Sequence, residues 1–309
     1  MNENSTPKRL SALVAHAGRL PKRAVVAAVW PVDDSSVDAL RRALDDNIVD
    51  ALLIGDENDI VKNAFSDHIA AGRATLIPAD TPADAAARAV AEAREGRADM
   101  LMKGLVNTDV LLRAVLNKET GILPAGNILT HIAIADIPAY DRLLAFTDAA
   151  VLPAPSLEQR HAQLRYIVDL CRSLGNNTPR VALIHCSEKT DTRHFPVTGD
   201  YSTLKERAAG GLYGECVVDG PLDVKVACNL HAAIVKHIDT PLQGQTDALL
   251  FPDIESGNVF YKTITLFAGA TTAGLLCGAQ CPVIVPSRGD SPDTKYYSLA
   301  IAALGMRRQ

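Results

Sequence analysis

The sequence contains no CxxC pair. Its six cysteines stand at 171, 186, 216, 228, 277 and 281, and the CxxxC of Cys277 and Cys281 has no second pair spaced to complete a zinc site. No metal is expected, and the cysteines read as small reduced hydrophobes of a cytoplasmic chain. Long apolar runs are missing too. The first, residues 24–30, is too short to span a membrane and has no small-residue cleavage site near it. A soluble, cytoplasmic protein without membrane partners is therefore expected. A large excess of either charge sign is missing as well. A net −5 over 309 residues argues against nucleic-acid partners but leaves room for a local basic pocket. Three motifs are absent. No GxGxxG follows the first apolar run, no GxxxxGK[ST] occurs, and Ser187 lacks a G-x-S-x-G setting. These absences count against a dinucleotide fingerprint, a P-loop and a serine-hydrolase elbow.

What is present is alternation. Short apolar runs at 24–30, 51–55, 74–78 and 100–104 are separated by helical patterns at 36–46, 59–71 and 83–95. Near-continuous apolar runs are the mark of strands covered on both faces. Ala85, Ala89 and Ala93 form a thin stripe suited to close packing on a sheet. The middle repeats the style, with strands at 129–135, 181–186, 215–218 and 248–252 and helices at 157–174, 224–236 and 258–268. A strand at 282–285 and a helix at 293–304 close the chain. The order predicts an α/β fold of two domains, each with a mostly parallel sheet flanked by helices. Gly- and Pro-containing segments near 121–126 and 268–274 mark the crossings. The first domain then takes 1–122 plus 274–309, the second takes 123–273, and a small-molecule site is expected in the cleft between them.

Polar residues gather where strands run into helices. VPSRGDSPDTKYYSLA, residues 285–300, places Ser287, Arg288 and Asp290 between an apolar run and a helix capped by Ser291 with Pro292 at its first position. Free N–H groups and the helix dipole favour an anion there. Arg288 can grip phosphate with a planar fork, and the Ser287 hydroxyl can donate to a developing oxyanion. The same chemistry also fits a well-capped surface helix. In MKGLVNTDVLLRAV, residues 102–115, Lys103 ends a strand, Thr108 or Asn107 caps a helix, and Arg113 lies on it. In FPDIESGNVFYK, residues 251–262, Gly257 and Asn258 read as a tight turn with Lys262 one helical turn on. His131, in LTHIAIA, either faces the site or is a hydrogen-bonded strand histidine.

Taken in order, MLMKGLVNTDVLLRAVLNKETG (100–121), LTHIAIADIPAY (129–140), FTDAAV (146–151), VDGPLDVKVA (218–227), TDALLFPDIESGNVFYK (246–262) and GAQCPVIVPSRGDSPDTKYYSLA (278–300) resemble the phosphate acetyltransferase and phosphate butyryltransferase family. The likeness leans to the butyryltransferase-like branch. It implies a reversible reaction in which acyl-CoA and orthophosphate give acyl phosphate and free coenzyme A, in a homodimer or higher homo-oligomer. No cofactor is implied beyond coenzyme A itself as substrate. The family's catalytic Ser-Arg pair matches Ser287 and Arg288, and its cleft arginine matches Arg113. Its catalytic Asp, seven residues after the Ser, falls here on Thr294, so Asp293 and Asp290 are both candidates. Proton transfer from a thiol near pKa 8.5 to an ordinary Asp near 3.9 is uphill by roughly 6 kcal/mol, which leaves either carboxylate a poor base unless its environment changes it. Two other readings compete: a decarboxylating hydroxy-acid dehydrogenase on a similar scaffold, and a non-catalytic sensor of coenzyme A or acyl phosphate.

Overall fold

The computed structural model describes residues 7–62, 65–286 and 291–305. A first helix, α1 (Leu10–Ala17), is followed by β1 (Ala24–Val29), α2 (Asp34–Asp45), β2 (Val49–Gly55), α3 (Glu57–Lys62), α4 (Ser66–Ala70), β3 (Ala74–Pro78), α5 (Pro82–Arg94), β4 (Met100–Lys103) and α6 (Thr108–Val115). The middle of the chain forms β5 (Thr130–Asp136), β6 (Leu144–Thr147), α7 (Leu157–Ser173), β7 (Arg180–Ile184), α8 (Val197–Ala209), β8 (Val217–Leu222), α9 (Val224–Cys228), α10 (Leu230–Val235), β9 (Ala248–Leu250) and α11 (Ile254–Phe267). It ends in β10 (Thr271–Cys277), β11 (Val283–Ile284) and α12 (Pro292–Gly305). This is the α/β architecture that the alternating pattern predicts. None of the described helices is long and apolar enough to cross a membrane.

The chain divides into two compact units. A terminal unit takes Leu10–Leu129 and Thr271–Gln309, and a central unit takes Thr130–Ala270 with Met1–Arg9. In the terminal unit the strand order is β3-β2-β1-β4-β11-β10, parallel throughout except for β10. Its inner strands are buried because helices cover them: β1 is buried at every position but Val25, and β4 at all four. The alanine stripe of α5 behaves as its spacing predicts, with Ala85, Ala89 and Ala93 all buried. Thr81 caps that helix and Pro82 occupies its first turn. Helix α12 packs on α1, α2 and β10 and is buried from Ser298 through Leu304. In the central unit the order is β5-β6-β9-β7-β8, with only β5–β6 antiparallel.

Three local expectations are corrected. The helix expected over 59–71 is two short helices, α3 and α4, and the fully buried Phe65 precedes the second. The helix expected over 224–236 breaks at Asn229, which turns extended (φ −142°) and caps α10 through the Ala232 N–H at 3.0 Å. Finally, Gly257 and Asn258 are not a turn. Helix α11 begins earlier, because Asp253 caps it through the Ser256 N–H at 2.8 Å, so Gly257 lies inside the helix.

Gly257 is there for close approach. A Cβ at this position would stand 2.1 Å from the Asp148 carbonyl oxygen, which is backbone and has nowhere to go. Gly257→Ala should therefore lower stability by about 3 kcal/mol, the upper range for overpacking, read as a loss in the urea midpoint at unchanged slope. An unchanged midpoint would show that α11 does not need this contact.

Candidate active site

At the C-terminal ends of β1 and β4 the terminal unit holds a pocket of about 710 Å³. Three helices begin around it. Asp33 caps α2, Thr81 caps α5, and Asn107 is the cap residue of α6; all three line the pocket. The dipoles of these helices bring partial positive charge to their first turns. Two lysines line the same pocket, and each is only 5% exposed: Lys103, the last residue of β4, and Lys295, in the first turns of α12. Lys103 Nζ donates to the carbonyls of Gly104 at 3.3 Å and Val106 at 3.1 Å. Gly104 follows because nothing larger fits: a Cβ there would meet the Trp30 carbonyl oxygen at 2.4 Å.

A buried ammonium needs partners. Lys295 has three: Asp33 Oδ1 at 2.8 Å, Ser35 Oγ at 2.6 Å and Ser36 Oγ at 2.9 Å. Burial alone would raise the Asp33 pKa. The hydrogen bonds from Lys295, Ser36 and Ser35 outweigh it and hold the carboxyl at about 2, below its ordinary 3.8. Its other oxygen, Oδ2, is buried and has no partner among the described residues. The pocket therefore sets two nearly buried ammonium charges, both held by protein acceptors, at its wall.

Ser287, Arg288 and Asp290 lie outside the described residues. Strand β11 ends at Ile284 beside Met102, and Ser291 then caps α12, its hydroxyl accepting from the Thr294 N–H at 3.2 Å. Lys295 lies one turn further on. Asp293 is elsewhere: half exposed, it pairs with Arg42 of α2 at 2.7 Å. Thr108 is the exposed first residue of α6, beside its cap Asn107. Arg113 is exposed and pairs with Asp109 at 3.2 Å along the same helix. Neither lines the Lys103 pocket.

In the central unit the polar centre is Asp148, only 1% exposed, at the end of β6. Its Oδ1 accepts from the N–H groups of Ala150 and Val151 at 2.8 and 2.9 Å. Its Oδ2 accepts from Thr130 Oγ1 at 2.7 Å and from the N–H groups of His131 and Leu152 at 3.1 and 3.2 Å. Gln163 of α7 donates to Thr130 Oγ1 at 3.1 Å. Asn258 Nδ2 donates to the Ala149 carbonyl at 2.9 Å. His131, Gly257 and Asn258 are thus brought together around one turn. Lys262 is not: it is exposed on α11 with its ammonium 4.7 Å from the Tyr261 ring centre. Three residues were missed in the sequence, Asp33, Lys295 and Asp148. The first had a signal, since Asp33 and Ser36 stand at capping distance directly after the first strand.

Comparison with known proteins decides what this arrangement belongs to. The family model described as "Phosphate acetyl/butaryl transferase" matches residues 78–303. A phosphate butyryltransferase of Clostridium beijerinckii is 36% identical over 96% of this chain and 97% of its own. The chain belongs to this family. A phosphate acetyltransferase of Rhizobium meliloti is 33% identical over 98% of this chain and 95% of its own. Among solved structures, a branched-chain phosphotransacylase from Enterococcus faecalis V583 superposes with a TM-score of 0.78 at 25% identity, covering 93% of this chain and 100% of that one. This acyltransferase keeps Lys103 and Lys295 inside the matched span, while Asp33 lies before it.

The Asp33–Lys295 pair makes the acyltransferase acid-sensitive in a defined window. The Asp33 pKa is lower in the folded chain, so its contribution is complete above about pH 4 and is lost as the pH falls toward 2; it amounts to about 2 kcal/mol. Asp33→Asn should cost about 3 kcal/mol at pH 7, by leaving a buried ammonium without its counter-charge, and should flatten the acid limb of stability. Denaturant unfolding between pH 2 and 7 measures both. An Asn variant as stable as wild type at pH 7 would contradict the assignment.

Proposed function

We propose that this acyltransferase moves a short acyl group between the thiol of coenzyme A and orthophosphate. The observation that carries the reading is the pair of nearly buried lysines, Lys103 and Lys295, in one pocket at three helix N-termini, in a chain of this family. Such a pocket suits a polyanion. In the reaction a phosphate oxygen bonds to the acyl carbon while the carbon–sulfur bond breaks. The phosphate proton ends on the departing sulfur, and the products are acyl phosphate and free coenzyme A. Lys103 attracts the phosphate, Arg288 holds it with its planar fork, and Ser287 donates to the carbonyl oxygen as charge develops there. With Asp293 engaged by Arg42, we assign that carboxylate to joining α12 to α2. The proton then passes to Asp290 or directly from phosphate to sulfur. The higher identity to the butyryltransferase than to the acetyltransferase favours a four-carbon acyl group over a two-carbon one.

The test is release of free thiol from butyryl-CoA and from acetyl-CoA, with and without orthophosphate. Release that requires phosphate, with kcat/KM larger for butyryl-CoA, is expected. Thiol release without phosphate would contradict the reaction, and oxidation of a hydroxy acid with a nicotinamide cofactor would replace it with the dehydrogenase reading. Lys103→Met should lower kcat/KM by about a hundredfold, and Arg288→Lys should raise KM for phosphate by about tenfold while also lowering kcat. A phosphate dependence unchanged in both variants would remove these two residues from the site.

A further inference from the structure

The central unit holds a cavity of about 360 Å³ that takes no part in the chemistry above. It lies at the end of the central sheet away from Asp148. Strands β6, β9 and β7 run parallel, and the cavity is lined by Leu143 and Asp247, just before β6 and β9, and by Arg180, the first residue of β7. Ile134 of β5 and its cross-strand partner Ala145 of β6 supply the sheet wall. Cys171, in the last turn of α7, and Leu174 and Thr178 beyond it supply another. Parallel sheets bind ligands at the carboxyl ends of their strands, and the amino ends are ordinarily closed by the incoming connections. Here the connection from α7 to β7 leaves room, and the volume falls in the lower part of the range of small-molecule sites.

The lining specifies the ligand. Its floor is apolar, and Cys171 belongs to that floor, because burial pushes its thiol up and keeps it neutral. Its charges do not cancel. Asp247 accepts from Arg142 Nη1 at 3.4 Å and from the Arg180 backbone N–H at 2.9 Å. Asp141 accepts from Arg142 Nε at 3.2 Å and stands 3.9 Å from Lys8 Nζ. Three cations, Lys8, Arg142 and Arg180, thus face two carboxylates, and one positive charge is left over. It belongs to Arg180, which makes no ion pair among the described residues. Its Nη1 donates to the Pro241 and Leu242 carbonyls at 3.1 and 2.9 Å, and its Nε and Nη2 donate to no described group. Nε and Nη2 form the edge of a guanidinium that a carboxylate takes bidentately. The last carbonyls of α7, which would otherwise repel an anion, are occupied: those of Leu170, Cys171 and Arg172 accept from the N–H groups of Leu174, Asn176 and Gly175. A cation would meet the surplus positive charge, a polyanion would find too few open donors, and a neutral hydrocarbon would leave Arg180 unused. A single carboxylate on an aliphatic chain satisfies both the floor and the fork.

We propose that this cavity is a second ligand site, which takes an aliphatic monocarboxylate with its carboxylate on Arg180 and its chain between the sheet and the end of α7. The experiment is calorimetric titration of the full chain with octanoate, below its micellar concentration. One octanoate per chain should bind. Hexanoate should bind roughly tenfold more weakly, through the loss of two buried methylenes, and 1-octanol at least about tenfold more weakly, through the loss of the charge. Arg180→Gln should raise the octanoate dissociation constant by at least about tenfold. Because Arg180 also holds two carbonyls, a second variant leaves it intact: Thr178→Trp, at an exposed position of the lining, should fill the entrance and weaken octanoate by at least about tenfold. Circular dichroism confirms that both variants are folded. Lys103→Met, in the terminal unit, should leave octanoate binding unchanged. A wild type that does not bind octanoate overturns the proposal, as does an affinity independent of chain length or of the carboxylate. Binding that survives both Arg180→Gln and Thr178→Trp overturns it as well, and binding lost in Lys103→Met would place the anion in the other pocket.

Discussion

Lys295 and Asp33 are 262 residues apart in the chain, and their hydrogen bond ties the two ends of the terminal unit to each other. An ammonium buried this deeply is destabilising unless every donor finds an acceptor, so its three partners have to arrive in the right places together. Asp33 has a second duty as the cap of α2, and Ser36 sits in the first turn of that helix. The starting points of α2 and α12 are consequently fixed against each other. Arg42 and Asp293 repeat the tie near the surface, and exposed pairs of that kind add little to stability. The pocket wall is the by-product: once α2 and α12 are locked, Lys103 at the end of β4 faces a space whose shape is already set.

The central unit meets the same requirement with the opposite charge. Asp148 is a carboxylate taken almost completely out of water, and five donors satisfy it. Three of them are successive backbone N–H groups of its own turn, which makes the turn rigid without tertiary help. Gly257 then lets α11 approach the Asp148 carbonyl closely enough for Asn258 to reach Ala149. In both units, polar side chains stand where strands end and helices begin, the place where an α/β sheet leaves backbone donors unspent.

Much of this was legible before any coordinates. Apolar runs marked the buried strands, the Ala85–Ala89–Ala93 spacing marked the face of α5, and the ordered set of segments marked the family. What escaped was of two kinds. Helix breaks at Asn229 and at Phe65 depend on a single capping or buried residue inside a pattern that otherwise reads as continuous. The pairing of Lys295 with Asp33 depends on contacts across nearly the whole chain, and nothing in PDTKYYSL distinguishes a buried lysine from one in water. Arg113 shows the converse: a cation on the expected helix, turned to Asp109 rather than to the pocket.

The burial of α12 also bears on the order in which the chain takes shape during synthesis. All five central strands are encoded between residues 130 and 270, so that sheet has its strands in hand while the last part of the chain is still inside the ribosome. The terminal unit began earlier but cannot close. Its sheet lacks β10 and β11, and α1 and α2 have no α12 to pack against, until the final residues emerge. Translation adds about 5–20 residues per second. The first-made half of this protein therefore spends roughly ten to forty seconds as an open sheet with apolar helices beside it, and the usual sequence of N-terminal domain first is reversed.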